Sequence, residues 1–396
     1  MDAEAACATI AEQAGSPLAF YNLGTVFFKA GDHRRASTYY SRALQLDPDM
    51  IEANHNMAAI LELDGRHDEA HRHRDRALRQ RCLFVDRAPT EQYRVLLPAA
   101  SAFGNVPIED LLPRQTVTRI KIFVEYATDS DCATLPAHDA VFNAIGDADI
   151  AEPLLGRLEN LLSRSSAPLL NRPQAVALTQ RHRLAETLAG IDNIVVPRTI
   201  LLRPGDSPRR FATGPSLLRP IGSHGGDGVV RALAAIDLPG VVAAPHFLTD
   251  FHDYQSPDGT WRKYRMIFVD GKPYPYHLAI SDHWLVHYFS ADMLADPAKR
   301  SLEELFLADP QQYIGDAAMR AIAAIGERLD LDFAGIDFSL LPDGRVLVFE
   351  ANATMLVHLH DSMEDFPYKH RYVPRIFEAF GKMLHKRITA ARPPPR

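Results

Sequence analysis

Between Asp332 and Met355 the chain reads DFAGIDFSLLPDGRVLVFEANATM. Asp337, Glu350 and Asn352 sit inside or at the end of two apolar runs, Phe333 to Leu341 and Val346 to Phe349. Pro342-Asp343-Gly344 lies between the runs, a pattern that predicts two strands joined by a tight turn. Residues two apart on a strand point to the same face, so Glu350 and Asn352 share one. Asp337 joins them only if the loop has suitable parity, which the spacing leaves open. Oxygen ligands gathered in this way suit Mg2+, a hard cation that takes one or two carboxylates together with substrate phosphates. The competing reading is an amphipathic hairpin with one solvated face.

A second stretch, Pro215 to Arg231 (PSLLRPIGSHGGDGVVR), places Arg219 on a short strand ahead of Gly222, Ser223, His224, Gly225, Gly226 and Gly228. Glycines permit positive φ and let backbone N–H groups approach an anion, and Ser223 and His224 add side-chain donors. No GK[ST] ends the loop, so it is not a Walker loop. Val241 to Phe251 then reads as a buried strand ending at Asp250, suited to holding an adenine by backbone hydrogen bonds. After DYQSPDG, the segment WRKYRMIFVDGKPYPYHLAIS predicts a hairpin with Lys263 and Arg265 on one face. Each of these features alone is commoner as a turn or a solvated surface. A phosphate loop and a metal-ligand hairpin in one chain favour a role against phosphate.

The elements that must position these residues are read from the rest of the chain. Its 396 residues suffice for two or three domains with sizeable cores. With 46% hydrophobic and 23% charged residues and a net charge of -7, the chain shows no electrostatic footprint for nucleic acid or an anionic membrane. The acidic start MDAEAACATIAEQAG does not read as a secretory signal, and no run of 18 apolar residues suggests a membrane span. Cys7, Cys82 and Cys132 lie far apart without metal-ligand spacing, and free thiols fit a reducing cytoplasm. The tail ARPPPR reads as disordered.

Residues 17 to 50 carry Phe20, Leu23-Gly24, Phe27, Ala36, Tyr40, Ala43 and Pro48 at the spacing of a tetratricopeptide repeat. Adding 34 lands on Ala58, Leu61, Ala70 and Ala77, a weaker second copy. Two repeats are fewer than usually stand alone, so the module is expected to dock on the adjoining domain or to be completed by residues 1 to 15. Its groove suits a peptide or partner protein; a cap or a dimerisation surface is the equal alternative, and a homo-oligomer stays open. The basic run His71 to Arg81 reads as a solvated helix face.

Beyond Asp86, strands are predicted at Tyr93 to Leu97, Arg119 to Tyr126 and Ala140 to Asn143, with a helix at Ala151 to Ser163. Alternating elements suggest a small open α/β domain, with Asn143 to Asp149 leaving a strand end, where open sheets bind ligands, although a plain turn is the commoner reading of such a stretch. A helix from about Gln174 to Ala189 and a strand near Val195 come next. The expected divisions are a helical repeat module at 1–84, an α/β domain at 85–170, a central lobe with the glycine loop at 171–240, a metal-bearing lobe at 241–390 and a tail at 391–396.

The ordered set from cation strand to D…E-x-N resembles the ATP-grasp superfamily, most closely the branch of ribosomal-protein glutamate ligases and glutathione synthetases. The resemblance covers roughly Arg119 to Arg387 and implies an α/β ATP-grasp fold behind the all-α repeats. It implies that Arg219 reaches the ATP phosphates, that Ser223 to Gly228 close over them, and that Asp250 and Phe251 form the adenine hinge. Arg265 would steady the transferred phosphoryl, and Asp337, Glu350 and Asn352 would hold two Mg2+ ions, with Mn2+ as a substitute. Three departures stand out: Arg219 replaces a lysine, Lys263 stands where an acid is common, and Asp250 is a methylene shorter than glutamate. Lys263 and His287 are further ATP-binding candidates; His277 and Tyr288 in the His-rich stretch Tyr276 to Ala291, and His358 with His360, are candidates for the acceptor side. Buried, satisfied histidines are the alternative there, and His358 with His360 lacks a third ligand for zinc.

The implied activity is a carboxylate–amine ligase that phosphorylates a carboxylate and passes the acyl group to an amine, with ATP, the acid and the amine as partners. The alternatives are an ATP-grasp kinase of a hydroxylic substrate and a non-catalytic repeat adaptor on a degenerate scaffold. A peptide captured by the repeats and presented to the site would gain effective concentration. Deleting Met1 to Phe84 is then expected to raise KM for a peptide substrate and spare that for ATP. An unchanged peptide KM in a folded truncation rules presentation out.

Overall fold

The computed structural model describes residues 3–101, 103–222 and 228–391, with side chains from Cys7 onward. Five helices come first: α1 (Ala3–Ala14), α2 (Pro17–Lys29), α3 (His33–Leu46), α4 (Ile51–Leu63) and α5 (His67–Gln80). Ser16 caps α2 by accepting from Ala19 N with Pro17 behind it, and Asp32 caps α3 by accepting from Arg35 N. Within the first repeat a Cβ on Gly24 would meet the Tyr40 ring at 2.8 Å, so α2 and α3 close only over a hydrogen. Tyr40 is fully buried, and its hydroxyl lies 2.9 Å from Asn56 Nδ2 and 3.2 Å from Thr25 Oγ1, tying the two repeats together. Ala11 of α1 packs with Phe20, Ala43 and Ala53, which covers the open end of the first repeat. At the other end Leu78 of α5 clusters with Ala99, Phe123 and Ala144, and the module is seated on the first sheet.

That sheet comprises β1 (Leu83–Asp86), β2 (Tyr93–Ala99), β3 (Val117–Phe123), β4 (Ala140–Phe142) and β5 (Leu169–Leu170), ordered β1-β3-β2-β4-β5. β1 is antiparallel to β3 and the remaining pairs are parallel. β2, β3 and β4 lie where the pattern predicts strands, but β3 ends at Phe123 rather than Tyr126. Tyr126 N and Ala127 N turn back onto Phe123 O. The division expected at residue 84 falls inside β1, so a deletion that spares the sheet must stop short of Leu83.

Asn171 links this domain to the remainder. Fully buried and at φ 52°, it accepts from Phe333 N and donates to Phe333 O at 2.8 and 2.9 Å, as a strand neighbour would. The helix expected from Gln174 to Ala189 is two short pieces, Pro173–Ala177 and Leu184–Thr187. The hydroxyls of Thr179 and Thr187 bond the Val176 and Leu178 carbonyls, competing with helical N–H groups, and the chain turns between the pieces.

Next come β6 (Ile194–Val195), β7 (Thr199–Leu202), β8 (Ser216–Pro220), β9 (Val230–Ala232) and β10 (His246–Asp250). Strands β7, β10, β8 and β9 make an antiparallel four-stranded sheet. The strand expected from Val241 starts only at His246, because Val242 exchanges hydrogen bonds with Gly205 and Asp206 instead. β10 therefore belongs to the central lobe, and the chain leaves that lobe after Asp250 rather than at residue 240.

The final sheet holds β11 (Trp261–Val269), β12 (Lys272–Ser281), β13 (Phe333–Leu340) and β14 (Val346–Asn352), ordered β12-β11-β13-β14-β6. Both expected hairpins are present. The helix Asp316–Leu329 covers this sheet: a Cβ on Gly326 would lie 2.4 Å from Gly271 O. The closing helix, Pro374–Ala391, buries Phe380 between Phe142 of the first sheet and Phe333 of the last. One apolar core thus joins the two sheets. The Arg-Pro tail lies beyond the described residues.

Two glycines separate packing from propensity. Gly24→Ala is expected to destabilise by about 1–3 kcal/mol through overpacking against Tyr40. Gly156→Ala, in a helix with open space around it, should be neutral or stabilise by about 0.5–1 kcal/mol. Urea unfolding of both variants checks the contrast.

Candidate active site

Four strands of the last sheet align one residue each into a transverse row. His277 of β12 pairs with Arg265 of β11, Arg265 with Asp337 of β13, and Asp337 with Glu350 of β14. Directly paired residues share a face, so the parity left open by the sequence is settled in favour of one face for Asp337 and Glu350. Register slips at both ends of the row, between Arg265 and Met266 and between Asp337 and Phe338. Tyr276 and Phe349 are the additional residues in these bulges, a device that re-aims neighbouring side chains. Tyr276, His277, Phe349 and Glu350 all line a cleft of about 550 Å³.

The row is held by ion pairs. Arg265 Nε and Nη2 donate to the two Asp337 oxygens at 2.7 and 2.9 Å, and Lys263 Nζ adds a contact at 3.2 Å. Burial alone would raise the Asp337 pKa, but Arg265 and then Lys263 outweigh it and hold the carboxyl well below its usual range. Burial opposes the charge of Arg265 as well; Asp337 reverses that and raises its pKa. Glu350 accepts from Arg181 Nη2; burial pushes its pKa up, but Arg181, Lys263 and Arg219 together lower it. Arg219 is half-buried in the same wall. Burial, then Arg181, push it down to about 10. Arg181, Lys263 and Arg265 thus surround two carboxylates and leave one positive charge in excess, with Arg219 beside them.

The structure also locates the other expected residues. Arg219, Lys263, Arg265, His287, Asp250, Phe251, Asn352 and Gly222 all line the cleft. Ser223, His224, Gly225 and Gly226 lie outside the described residues, while Gly228 has φ 66° and a Cβ there would meet Pro220 at 3.1 Å. Asp250 and Phe251 have limited freedom as a hinge. Asp250 N donates to Arg198 O, Phe251 N donates to Pro215 O, and the Asp250 carboxylate pairs with Arg198 at 3.3 Å. Phe251 instead offers its ring, set edge-on to Trp284 and under the Arg231 guanidinium. Burial and then Lys263 push the His287 pKa down. The strand-end loop at Asn143 to Asp149 also reaches the cleft, through Asp147 and Asp149.

Asp337, Glu350 and Asn352 form a hard, oxygen-only donor set of the kind Mg2+ takes. A carboxylate has about four acceptor positions; Arg265 and Lys263 use three at Asp337, and Arg181 uses one at Glu350. Asn352 Oδ1 already accepts from the Thr354 amide at 2.9 Å and its hydroxyl at 3.0 Å, so it turns to a cation only when that hydroxyl rotates. Among the described residues no three His, Cys, Asp or Glu side chains gather as a ligand set. The carboxylate pair fits a cation shared with phosphate oxygens.

Arg181 is the site residue that the sequence concealed. It lies in the turn between the two short pieces that read as one helix, and neither motif nor spacing singles it out.

Residues 17–50 match the tetratricopeptide repeat family. The helical module carries a tetratricopeptide repeat. Photosystem I assembly protein Ycf3 of Acaryochloris marina (strain MBIC 11017) is 37% identical over 86 residues, 22% of this chain and 49% of that protein. The chain thus spans about half the length of the curated relative it matches. Among solved structures, a RimK domain protein ATP-grasp from Sphaerobacter thermophilus DSM 20745 is 17% identical, with 75% of this chain and 99% of that one covered, at a TM-score of 0.43. The D-alanine-D-alanine ligase from Coxiella burnetii is 12% identical over 76% of this chain and 96% of its own, at 0.44. The ATP-grasp ligase PsnB complexed with precursor peptide PsnA2 and AMPPNP is 15% identical over 75% and 99%, at 0.42.

Asp337 lends stability that is fully present above about pH 5 and is lost as pH falls below about 4, because its folded pKa is depressed. Asp337→Asn leaves Arg265 and Lys263 without their anion and is expected to cost about 3–5 kcal/mol at pH 7. The deficit relative to wild type should shrink on acidification. Denaturant melts between pH 7 and 3 read both effects.

Proposed function

We propose that the chain is an ATP-dependent carboxylate–amine ligase that works through an acyl phosphate. The observation that carries this reading is the charged row, in which Asp337 and Glu350 share one cleft wall with Arg181, Lys263 and Arg265 and positive charge is in excess. A polyphosphate answers that excess, and the same wall leaves the two carboxylates for a cation bridging phosphate oxygens. Mg2+ held by Asp337, Glu350 and, after rotation of the Thr354 hydroxyl, Asn352 would neutralise phosphate charge.

The chain's own residues account for the remaining requirements. Arg219 and Arg181 border the row on the side of the glycine loop and offer planar, multidentate donors to phosphate oxygens. Arg265, fixed by Asp337, presents a charge that does not reorganise as the phosphoryl group moves from ATP to the carboxylate. Phe251, Trp284, Leu217 and Leu285 line the same cleft and offer the base apolar surface. The overall reaction takes ATP, a carboxylate and an ammonium to ADP, phosphate, an amide and one proton. The repeat module is proposed to hold a peptide or protein carrying one of the two substrate groups.

A thermal-shift titration with Mg-ATP tests the nucleotide site. At one hundred times Kd, binding adds about 2.7 kcal/mol of stability, so wild-type protein should melt later, and only when Mg2+ is present. Glu350→Gln should lose most of the shift while folding normally. No shift in wild type would sink the ligase reading; a shift preserved in Glu350→Gln would remove Glu350 from the site.

A further inference from the structure

The two carboxylates of the row are held differently. Asp337 is 4% exposed and takes two hydrogen bonds from Arg265 and a third contact from Lys263, both residues of its own sheet. Glu350 is 21% exposed, and among the described residues its side chain pairs with Arg181 alone. Of the two, Glu350 is the carboxylate whose partner can be exchanged.

Arg181 reaches Glu350 from outside the sheet. It sits in the turn between the helices Pro173–Ala177 and Leu184–Thr187, and both of its neighbours are anchored elsewhere. Gln180 donates to Glu152 at 3.3 Å, and the His182 ring stacks on Phe247 of β10 with centroids 6.3 Å apart. The backbone is thereby fixed, while the 29% exposed arginine side chain extends into the cleft. Arg219 lines the same cleft, close enough for Arg181 to add to the lowering of its pKa that burial causes. Asp147 and Asp149 line it too, and Arg181 opposes the rise in the Asp149 pKa that burial causes. Neither hydrogen-bonds the Arg181 guanidinium among the described residues, so Glu350 is the anion it occupies.

We infer that Arg181 is a resident counter-ion that keeps a free divalent cation off Glu350 until nucleotide phosphate draws the guanidinium away. The inference rests on the ligase reading and deepens it, because it couples loading of the metal to loading of the nucleotide. A guanidinium and a divalent cation on one carboxylate repel each other at short range, in a wall where water screens them poorly. A polyphosphate offers the guanidinium paired oxygen acceptors of its own. Glu350 is then open to the cation that arrives with those phosphates. Arg181 is therefore a positioning residue for the metal, acting through Glu350.

Mn2+ alone is the probe, with the free ion followed by electron paramagnetic resonance and no nucleotide added. Arg181→Gln should bind Mn2+ at least tenfold more tightly than wild type. Arg181→Lys keeps the charge and should stay within threefold of wild type. A purely structural role would leave the affinity unchanged or weaken it. A Kd in folded Arg181→Gln that is unchanged or weaker overturns the inference, and so does Arg181→Lys binding as tightly as Arg181→Gln. Glu350→Gln gives a second reading with Arg181 intact, and decides alone if Arg181→Gln does not fold. Because Glu350 is already occupied, its Mn2+ affinity should stay within threefold of wild type, and a larger loss overturns the inference. The Mg-ATP shift of wild-type protein is separate: its absence defeats the ligase, whereas a normal shift with Mn2+ affinity unmoved by Arg181→Gln defeats only the counter-ion.

Discussion

The bidentate contact between Arg265 and Asp337 is the interaction on which the cleft depends. Each group is largely removed from water, and either one alone would be a costly buried charge. Together they fix the register of β11 against β13, since a slip of one residue would turn the two side chains to opposite faces. The neighbouring strands then inherit that register. Bulges at Tyr276 and Phe349 bring His277 and Glu350 into line with the pair, and the row spans the full reacting width of the sheet.

Charge is distributed along the cleft rather than pooled. The charged row and the cluster of Glu303, Lys369 and Asp361 are adjacent, and Tyr276, His277 and Tyr288 separate them by little more than their own rings. Packing sets this spacing. Lys369 lies between the Phe366 and Tyr288 rings, and Tyr368 and Tyr288 clamp Glu303 from two elements. A low-dielectric wall of aromatic carbon keeps the two clusters distinct, where bulk water would blur them.

Much of this was legible in the sequence, and the limits have physical causes. The period-two pattern and Pro-Asp-Gly turn were enough to find β13 and β14. The facing of Asp337 was not readable, because a bulge adds a residue to one strand and leaves no mark in composition. The small residues of the repeat were readable because helix contact at Gly24 tolerates no side chain. Arg181 stayed hidden, since two threonine hydroxyls break a segment whose apolar spacing still looks helical. β10 was expected too early for a related reason: Val242 is apolar but pairs with a loop, outside the sheet.

Helix α5 ends at Gln80 and β1 begins at Leu83, so only Arg81 and Cys82 connect the helical module to the edge of the first sheet. Two residues span at most about 7 Å, and Arg81 lies over the Phe84 ring while Leu78 packs beneath. The join therefore behaves as a rigid bracket, and anything gripped by the helices keeps a constant bearing on the domain below. It also shields a vulnerable border. Were the module torn away together with β1, the backbone of β3 would become a bare rim open to pairing with foreign strands, and the cost of losing the helices would be paid in self-association.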